Sequence, residues 1–258
     1  MTMLVDTMAT LDLGTFGSGV NAAVVGASGG IGGAIVDHLC SCQAVSKVFS
    51  ISRSAPESGS TDEAWIPLDL EDDDSIAAAA ETVKRSVKNL HIVIVATGAL
   101  HDGSKFQPEK TWRSLSGSAM EIAFRINAIG PALVAKNFFP LLAKDRKTAF
   151  AGLSARVGSI EDNHLGGWHA YRASKAALNM LIKTLAIELA QRRPKALCVG
   201  LHPGTVDTAL SKPFQRGLQQ GQLFSPAQSA RHLLTTLDRL SPPNSGQLYA
   251  WDGSRLPF

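Results

Sequence analysis

The amino-acid sequence predicts an α/β fold, in which a doubly wound parallel sheet carries helices on both faces within a single domain. Short apolar runs alternate with helical segments along the chain, and parallel strands need such crossover connections. A length of 258 residues is enough to bury one large core. Because no linker, repeat or low-complexity segment interrupts the alternation, we assign residues 20–258 to one domain.

The composition of the chain limits its partners. Lys and Arg number 25 and Asp and Glu 22, without a block of five like charges, so we expect no nucleic-acid partner. No apolar run has the length of a membrane span, and the first basic residue is Lys47. We therefore expect a cytoplasmic protein without membrane contact. The three cysteines lack metal-ligand spacing, so no metal is predicted.

The first half of the chain predicts four strands and two helices. The strands are residues 20–25, 47–52, 64–68 and 91–96, and the helices are residues 31–42 and 72–87. The run 91–96 is continuously apolar after its first residue, which is typical of a strand buried on both faces. Residues 1–19 have no clear pattern, and we expect a lead-in that is partly mobile or lies along the surface.

The second half continues the alternation. It predicts helices at 117–142, 168–191 and 226–240, and strands at 148–153, 196–201 and 247–251. Pro131 and Pro140 should kink or end the first of these helices. The segment 207–225 is polar and rich in Gly and Gln, and we expect residues 209–225 to form a substrate loop that acts as a lid.

A glycine-rich turn joins the first predicted strand to the first helix. It contains Gly26, Ser28, Gly29, Gly30, Ile31 and Gly32. Glycines at the first, fifth and seventh positions permit a tight turn, close backbone approach and close helix packing. A structural turn is the alternative, but between a strand and a helix the motif favours a dinucleotide whose pyrophosphate rests on the helix N-terminus.

The residues after the second predicted strand bear on the choice of cofactor. NAD-dependent dehydrogenases place an acidic residue there to bind the ribose hydroxyls, whereas this chain has Arg53 between Ser52 and Ser54. A guanidinium pairs well with phosphate, so we predict NADP(H), with a solvated surface arginine as the alternative. Asp69, after the third strand, is a candidate for the adenine amino group or a turn residue.

Tyr171 and Lys175 form the most informative pair in the sequence. Residues four apart on a helix lie on one face, about 6 Å apart along the axis. An ammonium beside a phenol favours the phenolate and lowers its pKa, which would prepare Tyr171 for proton transfer near neutral pH.

With these motifs in order, the chain resembles the short-chain dehydrogenase/reductases, which have a Rossmann fold, over roughly residues 20–255. The matching pieces are the glycine turn, Asp69-Leu70, the Asn127 segment, Ser154, Tyr171-x-x-x-Lys175 and the segment 203–208. The segments 159–163 and 166–179 further resemble the branch with C-factor-like signalling proteins and Sniffer-like carbonyl reductases.

The resemblance implies hydride transfer between nicotinamide and a carbonyl or alcohol. Tyr171 would be the general acid in reduction, Lys175 would lower its pKa and hold the ribose, and Asn127 would hold a water that relays protons. The cofactor residues implied are the glycine turn, Arg53, Asp69, Leu70, Thr97, Gly98, Pro203, Gly204, Val206 and Thr208. A homodimer or homotetramer through the helices that bear Asn127 and Tyr171 is also implied. Ala132, Leu133, Leu178 and Leu185 are compatible with it and equally with packing in the core.

The chain departs from the family pattern in two places. Val95-Ala96-Thr97-Gly98 replaces Asn-Asn-Ala-Gly after the fourth strand, and we expect Thr97 and Gly98 still to line the ribose. The serine that polarises the substrate is ambiguous. Counting back from Gly158 puts its position at Ala155, so we take Ser154 as the candidate and Ser159 as the alternative.

The function predicted is an NADP(H)-dependent carbonyl reductase or alcohol dehydrogenase acting on a small molecule. The alternative is an NADP(H)-binding regulatory or signalling protein of the C-factor type with little turnover. The intact pair of Tyr171 and Lys175 favours the enzyme, whereas the ambiguous serine favours the alternative.

Overall fold

A computed structural model describes residues 11–55, 63–103, 106–219 and 221–258. The strands are β1 (Val20–Val25), β2 (Val45–Ser52), β3 (Glu63–Pro67), β4 (Ile92–Val95), β5 (Thr148–Leu153), β6 (Ala196–His202), β7 (Thr205–Val206), β8 (Leu223–Phe224), β9 (Leu248–Ala250) and β10 (Arg255–Leu256). The α-helices are α1 (Gly30–Cys40), α2 (Asp73–Ser86), α3 (Gly117–Phe124), α4 (Gly130–Phe138), α5 (His169–Arg192) and α6 (Pro226–Arg239).

Eight of the described strands form one sheet in the order β10-β9-β6-β5-β4-β1-β2-β3. All neighbours in it are parallel except β10, which runs antiparallel to β9. The strand order reverses between β1 and β4, so the loops that follow these two strands diverge and leave a crevice at their carboxyl ends. The predicted doubly wound α/β fold is confirmed.

The two faces of the sheet bury different helices because successive strand residues point to opposite sides. Along β1, Ala22 and Val24 pack into a core with α1 and α6, whereas Ala23 and Val25 pack into a core with α2, α4 and α5. This arrangement places the amino end of α1 and the first turns of α5 at the carboxyl edge of the sheet.

The long helix predicted at 117–142 is interrupted by a π turn over Arg125–Ile129, between α3 and α4. Gly130 N–H bonds to the Arg125 carbonyl, five residues back, and Pro131 follows within the first turn of α4. Because proline has no N–H, it cannot continue α-helical bonding to the fourth residue back. The predicted disturbance at Pro131 is thus a π turn, and it contains Asn127.

The lead-in is packed from Leu13 onward. Leu13 and Phe16 are fully buried in the core beside α1 and α6, and the Thr15 hydroxyl donates to the Asp238 carbonyl at 2.8 Å. Residues 11–19 are thus held against the core through Leu13 and Phe16, with several of their other side chains exposed along the surface, and residues 1–10 lie outside the described part of the chain.

One of the residues expected on the helix faces of an oligomer, Leu178, is used in core packing instead. Leu178 is buried in the core, whereas Met180 and Ile187 of α5 and Ile129 of the π turn are exposed. Assembly through these helices stays a prediction. Across the described ranges, none of the helices combines the length and the hydropathy needed to cross a bilayer.

Candidate active site

A cleft of about 610 Å³ lies at the carboxyl ends of β1 to β4. This is the crevice in which ligands of open α/β sheets bind. The predicted cofactor residues that line it are Gly26, Ser28, Gly29, Arg53, Asp69, Leu70, Thr97 and Gly98. Gly30 lines an adjoining depression that it shares with Ser28 and Gly29.

The turn after β1 has no room for side chains at two of its glycines. Gly26 has φ of +90°, and a Cβ there would lie 2.9 Å from Thr97 Cγ2. At Gly32 a Cβ would lie 2.1 Å from the Gly26 carbonyl oxygen. The helix also starts without a side-chain cap, because its N-cap is Gly29. The first N–H groups of α1 are therefore bare and can face an anion.

The segment 203–208 lies beside this turn. A Cβ at Gly30 would lie 2.9 Å from Thr208 Cγ2, so Thr208 covers the start of α1. Its hydroxyl donates to the buried Val206 carbonyl at 3.4 Å, and the Pro203 carbonyl accepts a hydrogen bond from a serine of α6 at 2.9 Å. Gly204, with φ of +76°, permits the bend between them. The segment and the glycine turn thus form one wall of the site.

Arg53 lines the cleft beyond the end of β2. Its side chain is exposed and makes no ion pair with a carboxylate of the described residues. The Ser52 hydroxyl donates to the Ser54 carbonyl at 2.7 Å, which fixes the local bend. Asp69 accepts a hydrogen bond from Glu71 N–H at 2.9 Å, as a turn residue does, and also lines the cleft. The Arg53 guanidinium is therefore available to a phosphate.

Thr97 and Gly98 connect the cleft to the predicted catalytic residues. The Thr97 hydroxyl is buried and has no hydrogen-bond partner within the described ranges, which makes it available to a ligand. A Cβ at Gly98 would lie 3.7 Å from both Asn127 Oδ1 and Lys175 Nζ. Gly98, which lines the cleft, therefore lies against Asn127 and Lys175 behind it.

Asn127 is fully buried, and its amide is bonded to protein groups. Its Oδ1 accepts from Ala99 N–H at 2.8 Å, and its Nδ2 donates to the Ala99 carbonyl at 2.9 Å and to Ser174 Oγ at 3.0 Å. The side chain thus ties the chain after β4 to α5. The role expected for Asn127 in holding a water that relays protons stays a prediction.

Tyr171 and Lys175 lie on the buried side of α5, with Lys175 Nζ 5.8 Å from the centre of the phenol ring. Lys175 Nζ donates to the Leu153 carbonyl at 2.8 Å. Burial lowers the pKa of Lys175 to about 7 and raises the pKa of Tyr171 to about 12. The pKa of Tyr171 was expected to be lowered. The direction is opposite because desolvation by burial disfavours the phenolate.

The two candidate serines make hydrogen bonds with groups other than Tyr171. Ser154 is buried and donates to Asn179 Oδ1 at 2.7 Å, and Asn179 lies eight residues beyond Tyr171, about 12 Å along α5. Ser159 accepts from Asp162 N–H at 3.1 Å and lines a separate groove. Ala155 packs against Tyr171 instead. The geometry therefore gives neither serine the position expected for a substrate-polarising hydroxyl.

Apolar side chains form a collar around Tyr171. The collar consists of Leu100, Ala155, Val157, Trp168, Leu210 and Phe214. Two of these residues belong to the predicted substrate loop, which also contains β8 paired with β7. Phe214 meets the Trp168 ring at 4.9 Å between centroids and the His101 ring at 5.7 Å. The loop thus covers one side of the space above Tyr171.

Glu109 is a residue of the site that the sequence did not single out. It is 4% exposed, and both of its carboxylate oxygens lie within 3.3 Å of Ala170 N–H, in the first turn of α5. Its backbone carbonyl accepts from Trp168 N–H. Because 61 residues separate Glu109 from Ala170 and no local motif links them, only the folded arrangement identifies the contact.

Comparisons with known proteins agree with this geometry. The family model described as short chain dehydrogenase matches residues 20–219. An uncharacterized oxidoreductase of Schizosaccharomyces pombe is 27% identical over 256 residues, which covers 91% of this chain and 96% of the relative. The C-signal protein of Myxococcus xanthus is 36% identical over 140 residues, covering 54% of this chain and 78% of that protein.

Solved structures share the fold along almost the whole chain. The NADPH-bound carbonyl reductase from chicken fatty liver superposes with a TM-score of 0.81 at 26% identity, covering 94% of this chain and 95% of that one. The carbonyl reductase Sniffer of Drosophila melanogaster has a TM-score of 0.80 at 21% identity and covers 94% and 100%. The predicted resemblance to this branch is confirmed.

Proposed function

The chain belongs to the short-chain dehydrogenase family, and from this membership we propose that it is an NADP(H)-dependent oxidoreductase of carbonyl and alcohol substrates. The observation that carries the proposal is that Gly98, which lines the cleft, lies against Asn127 and Lys175, with Tyr171 one helical turn from Lys175. Gly98 therefore links the predicted cofactor cleft to the predicted proton-transfer pair.

The fit of a dinucleotide is supported by the shape of the turn after β1. The bare backbone at Gly26 and Gly32, the uncapped start of α1 and the Thr97 hydroxyl, which has no partner among the described residues, suit a pyrophosphate and a ribose. Arg53 would hold the 2′-phosphate, which favours NADP(H) over NAD(H). The chicken carbonyl reductase, which has a similar fold, was solved with NADPH bound.

The protein residues would manage the proton while a bound nicotinamide supplies or accepts the hydride. In reduction, Tyr171 donates its hydroxyl proton to the carbonyl oxygen, and its high pKa keeps that proton in place until the oxygen becomes basic. Lys175, with its pKa near 7, can return a proton to the phenolate at neutral pH. Asn127 acts as a positioning residue, because it fixes the Ala99 backbone against α5.

The first test is NADPH consumption by the purified protein on a panel of aldehydes, ketones, quinones and diketones, with NADH in parallel. We expect turnover with NADPH to exceed turnover with NADH. Tyr171→Phe should reduce it at least about 100-fold, because the general acid is lost while the ring is kept. Arg53→Met, which keeps the length of the side chain without its charge, should weaken NADPH binding about ten-fold and leave NADH binding unchanged.

Each of the other outcomes has a definite meaning. Turnover that prefers NADH would keep the reaction class and refute the role of Arg53. Full activity in Tyr171→Phe would refute the general acid. Absence of turnover together with tight NADPH binding would refute the proposed enzyme.

That last outcome would favour a second candidate function, an NADP(H)-binding regulatory or signalling protein with little turnover. The observation that supports it is Ala155 beside Tyr171, where a substrate-polarising hydroxyl was expected. The similarity to the C-signal protein is consistent with it.

A further inference from the structure

We propose that Ala155 leaves Tyr171 as the single hydrogen-bond donor to the substrate oxygen, so that the chain selects carbonyls that are already electron-poor. The inference rests on the proposed function and adds to it a determinant of substrate class. It would make residue 155 the position that decides which carbonyls are reduced.

The backbone around residue 155 explains why no serine hydroxyl reaches the oxygen. Ala155 is extended, with φ of −146° and ψ of 145°, and consecutive residues of extended chain point in opposite directions. Ser154 therefore points to Asn179 when Ala155 points to Tyr171. A hydroxyl on the Cβ of residue 155 would face the collar, whereas a hydroxyl at 154 cannot without reversing the strand.

The rest of the collar offers little to a developing negative charge. Its side chains are hydrocarbon except for the Trp168 indole, which meets the Tyr171 ring edge-on with 6.3 Å between centroids. Nearby His101 Nε2 lies 3.1 Å from the Leu210 carbonyl and is engaged there. In the neutral ring, His101 Nδ1 is then an acceptor, and it has no partner among the described groups. Lys175 Nζ is likewise engaged by the Leu153 carbonyl. Among the side chains of the collar, Trp168 is thus the competing donor that an experiment has to separate from Tyr171.

The chemistry connects the missing donor to substrate choice. As the hydride of the reduced nicotinamide bonds to the carbonyl carbon, the C=O π pair moves to oxygen, which then takes the proton of Tyr171. A second donor aimed at such an oxygen typically accelerates the step by about 100- to 1,000-fold. Without it, electron-withdrawing groups on the substrate have to stabilise the charge, so the rate should depend steeply on the electron demand of the carbonyl.

A series of para-substituted benzaldehydes measures this dependence, because nitro, unsubstituted and methoxy members place the same carbonyl in the site. The wild type and Ala155→Ser would be mixed with NADPH in single turnovers. We expect the wild-type rate to fall steeply from the nitro to the methoxy compound. Ala155→Ser should raise the methoxy rate by at least about ten-fold and the nitro rate by less than about three-fold.

Two further variants separate the hydroxyl from other effects. The cysteine in Ala155→Cys is close to serine in size but is a weaker donor. This variant should therefore keep the slope, meaning the dependence of the rate on the para substituent, near the wild-type value. Trp168→Phe should keep the steep slope, since the indole is not the donor. If Ala155→Ser does not fold, as judged by thermal melting, the inference is still tested by whether the wild type and Trp168→Phe both show the steep slope.

A flat wild-type slope would overturn the inference, and so would equal gains for all aldehydes in Ala155→Ser or loss of the reaction in Trp168→Phe. These results would leave the proposed function standing, because turnover would still be observed. No turnover of any aldehyde by the wild type or Ala155→Ser, with NADPH bound, would instead contradict the proposed function and this inference with it.

Discussion

Ser154 and Asn179 form a buried pair whose role can be measured apart from catalysis. The Ser154 hydroxyl donates to Asn179 Oδ1 at 2.7 Å, and Asn179 Nδ2 donates to the Gly158 carbonyl at 3.4 Å. Ser154→Ala leaves a buried carbonyl oxygen without its donor, so we expect the free energy of unfolding to fall by about 1–3 kcal/mol in urea denaturation. The single-turnover rate should change less than about three-fold, because the hydroxyl does not face Tyr171.

Asn179→Ala provides the matched control for this pair. If the two side chains act through their mutual hydrogen bond, the double variant should lose less stability than the two single variants together. A Ser154→Ala protein as stable as the wild type but almost inactive would show that the hydroxyl serves the reaction after all.

At the residue scale, the sequence predicts the members of the site better than their contacts. Tyr171 and Lys175 share a helix face because residues four apart must do so. Ser154 and Ala155 could not be resolved, because one residue of register decides which of them faces the collar. Asn179, which fixes that register, lies 25 residues further along the chain and carries no local signal.

At the element scale, helix α5 begins without a cap of its own. Its N-cap is Trp168, whose φ of 52° lies in the left-handed region and whose side chain makes no capping bond. The buried Glu109 carboxylate takes over this task from the segment before α3, bonding to Ala170 N–H. An acidic group there is also favoured by the helix dipole.

Glu109→Ala removes this cap and leaves a cavity beside Ala170, the residue before Tyr171. We expect the free energy of unfolding to fall by about 2–3 kcal/mol, since an N–H group loses its partner and a buried side chain is deleted. The KM for substrate should rise more than kcat falls, because Trp168 in the collar is released while Tyr171 keeps its place on the helix.

Glu109→Gln is the conservative control, since its amide oxygen can still accept from Ala170 N–H. Its KM should be close to the wild-type value. Its free energy of unfolding should fall by only about 1 kcal/mol, because the charge is missing. A normal KM in Glu109→Ala would refute the positioning role, even if the protein were less stable.

The sequence predicts the helices of the fold better than its shortest elements. Helices α2 and α6, predicted to begin at residues 72 and 226, begin at Asp73 and Pro226, and Ser225 forms a full capping box with Gln228. The π turn and the short strands β7, β8 and β10 were not predicted. Each of these strands has two residues, which is too short for a periodicity to be detected.

At the scale of the whole molecule, acid should destabilise the fold through buried histidines. His91, at the amino end of β4, accepts from Asn21 N–H at 2.9 Å on Nδ1, and burial, with Arg146 as a smaller cause, lowers its pKa to about 4. Burial also lowers the pKa of His202 to about 4. Between about pH 6.5 and 4 the unfolded chain therefore binds more protons than the folded one, and stability falls as the pH falls.

Because of His91, the free energy of unfolding should fall by about 2 kcal/mol between pH 7 and pH 5, as measured by urea denaturation at the two pH values. His91→Asn, whose Oδ1 can still accept from Asn21 N–H, should show a smaller loss, which reflects His202. Equal losses in the two proteins would mean that His91 titrates in the folded state as it does in the unfolded chain.

The sequence predicts the topology of the sheet, but it does not predict how Leu13 and Phe16 pack against the rest of the molecule. Alternation of strands and helices is enough to predict the doubly wound sheet, because right-handed crossovers leave few other arrangements. The burial of Leu13 and Phe16 beside α6 could not be predicted, because their partners, among them Leu237, lie more than 200 residues away.

The substrate loop, which brings Leu210 and Phe214 to the collar, has a consequence for how this protein can change over evolution. Leu210 and Phe214 are in the collar but in neither of the two large cores that flank the sheet. Replacing them would alter the walls of the site at little cost to folding, whereas replacing Tyr171 or Asn127 would disturb α5 itself. New specificities should therefore arise first by mutation of residues 209–225, and a library confined to this segment should yield mostly folded, cofactor-binding variants.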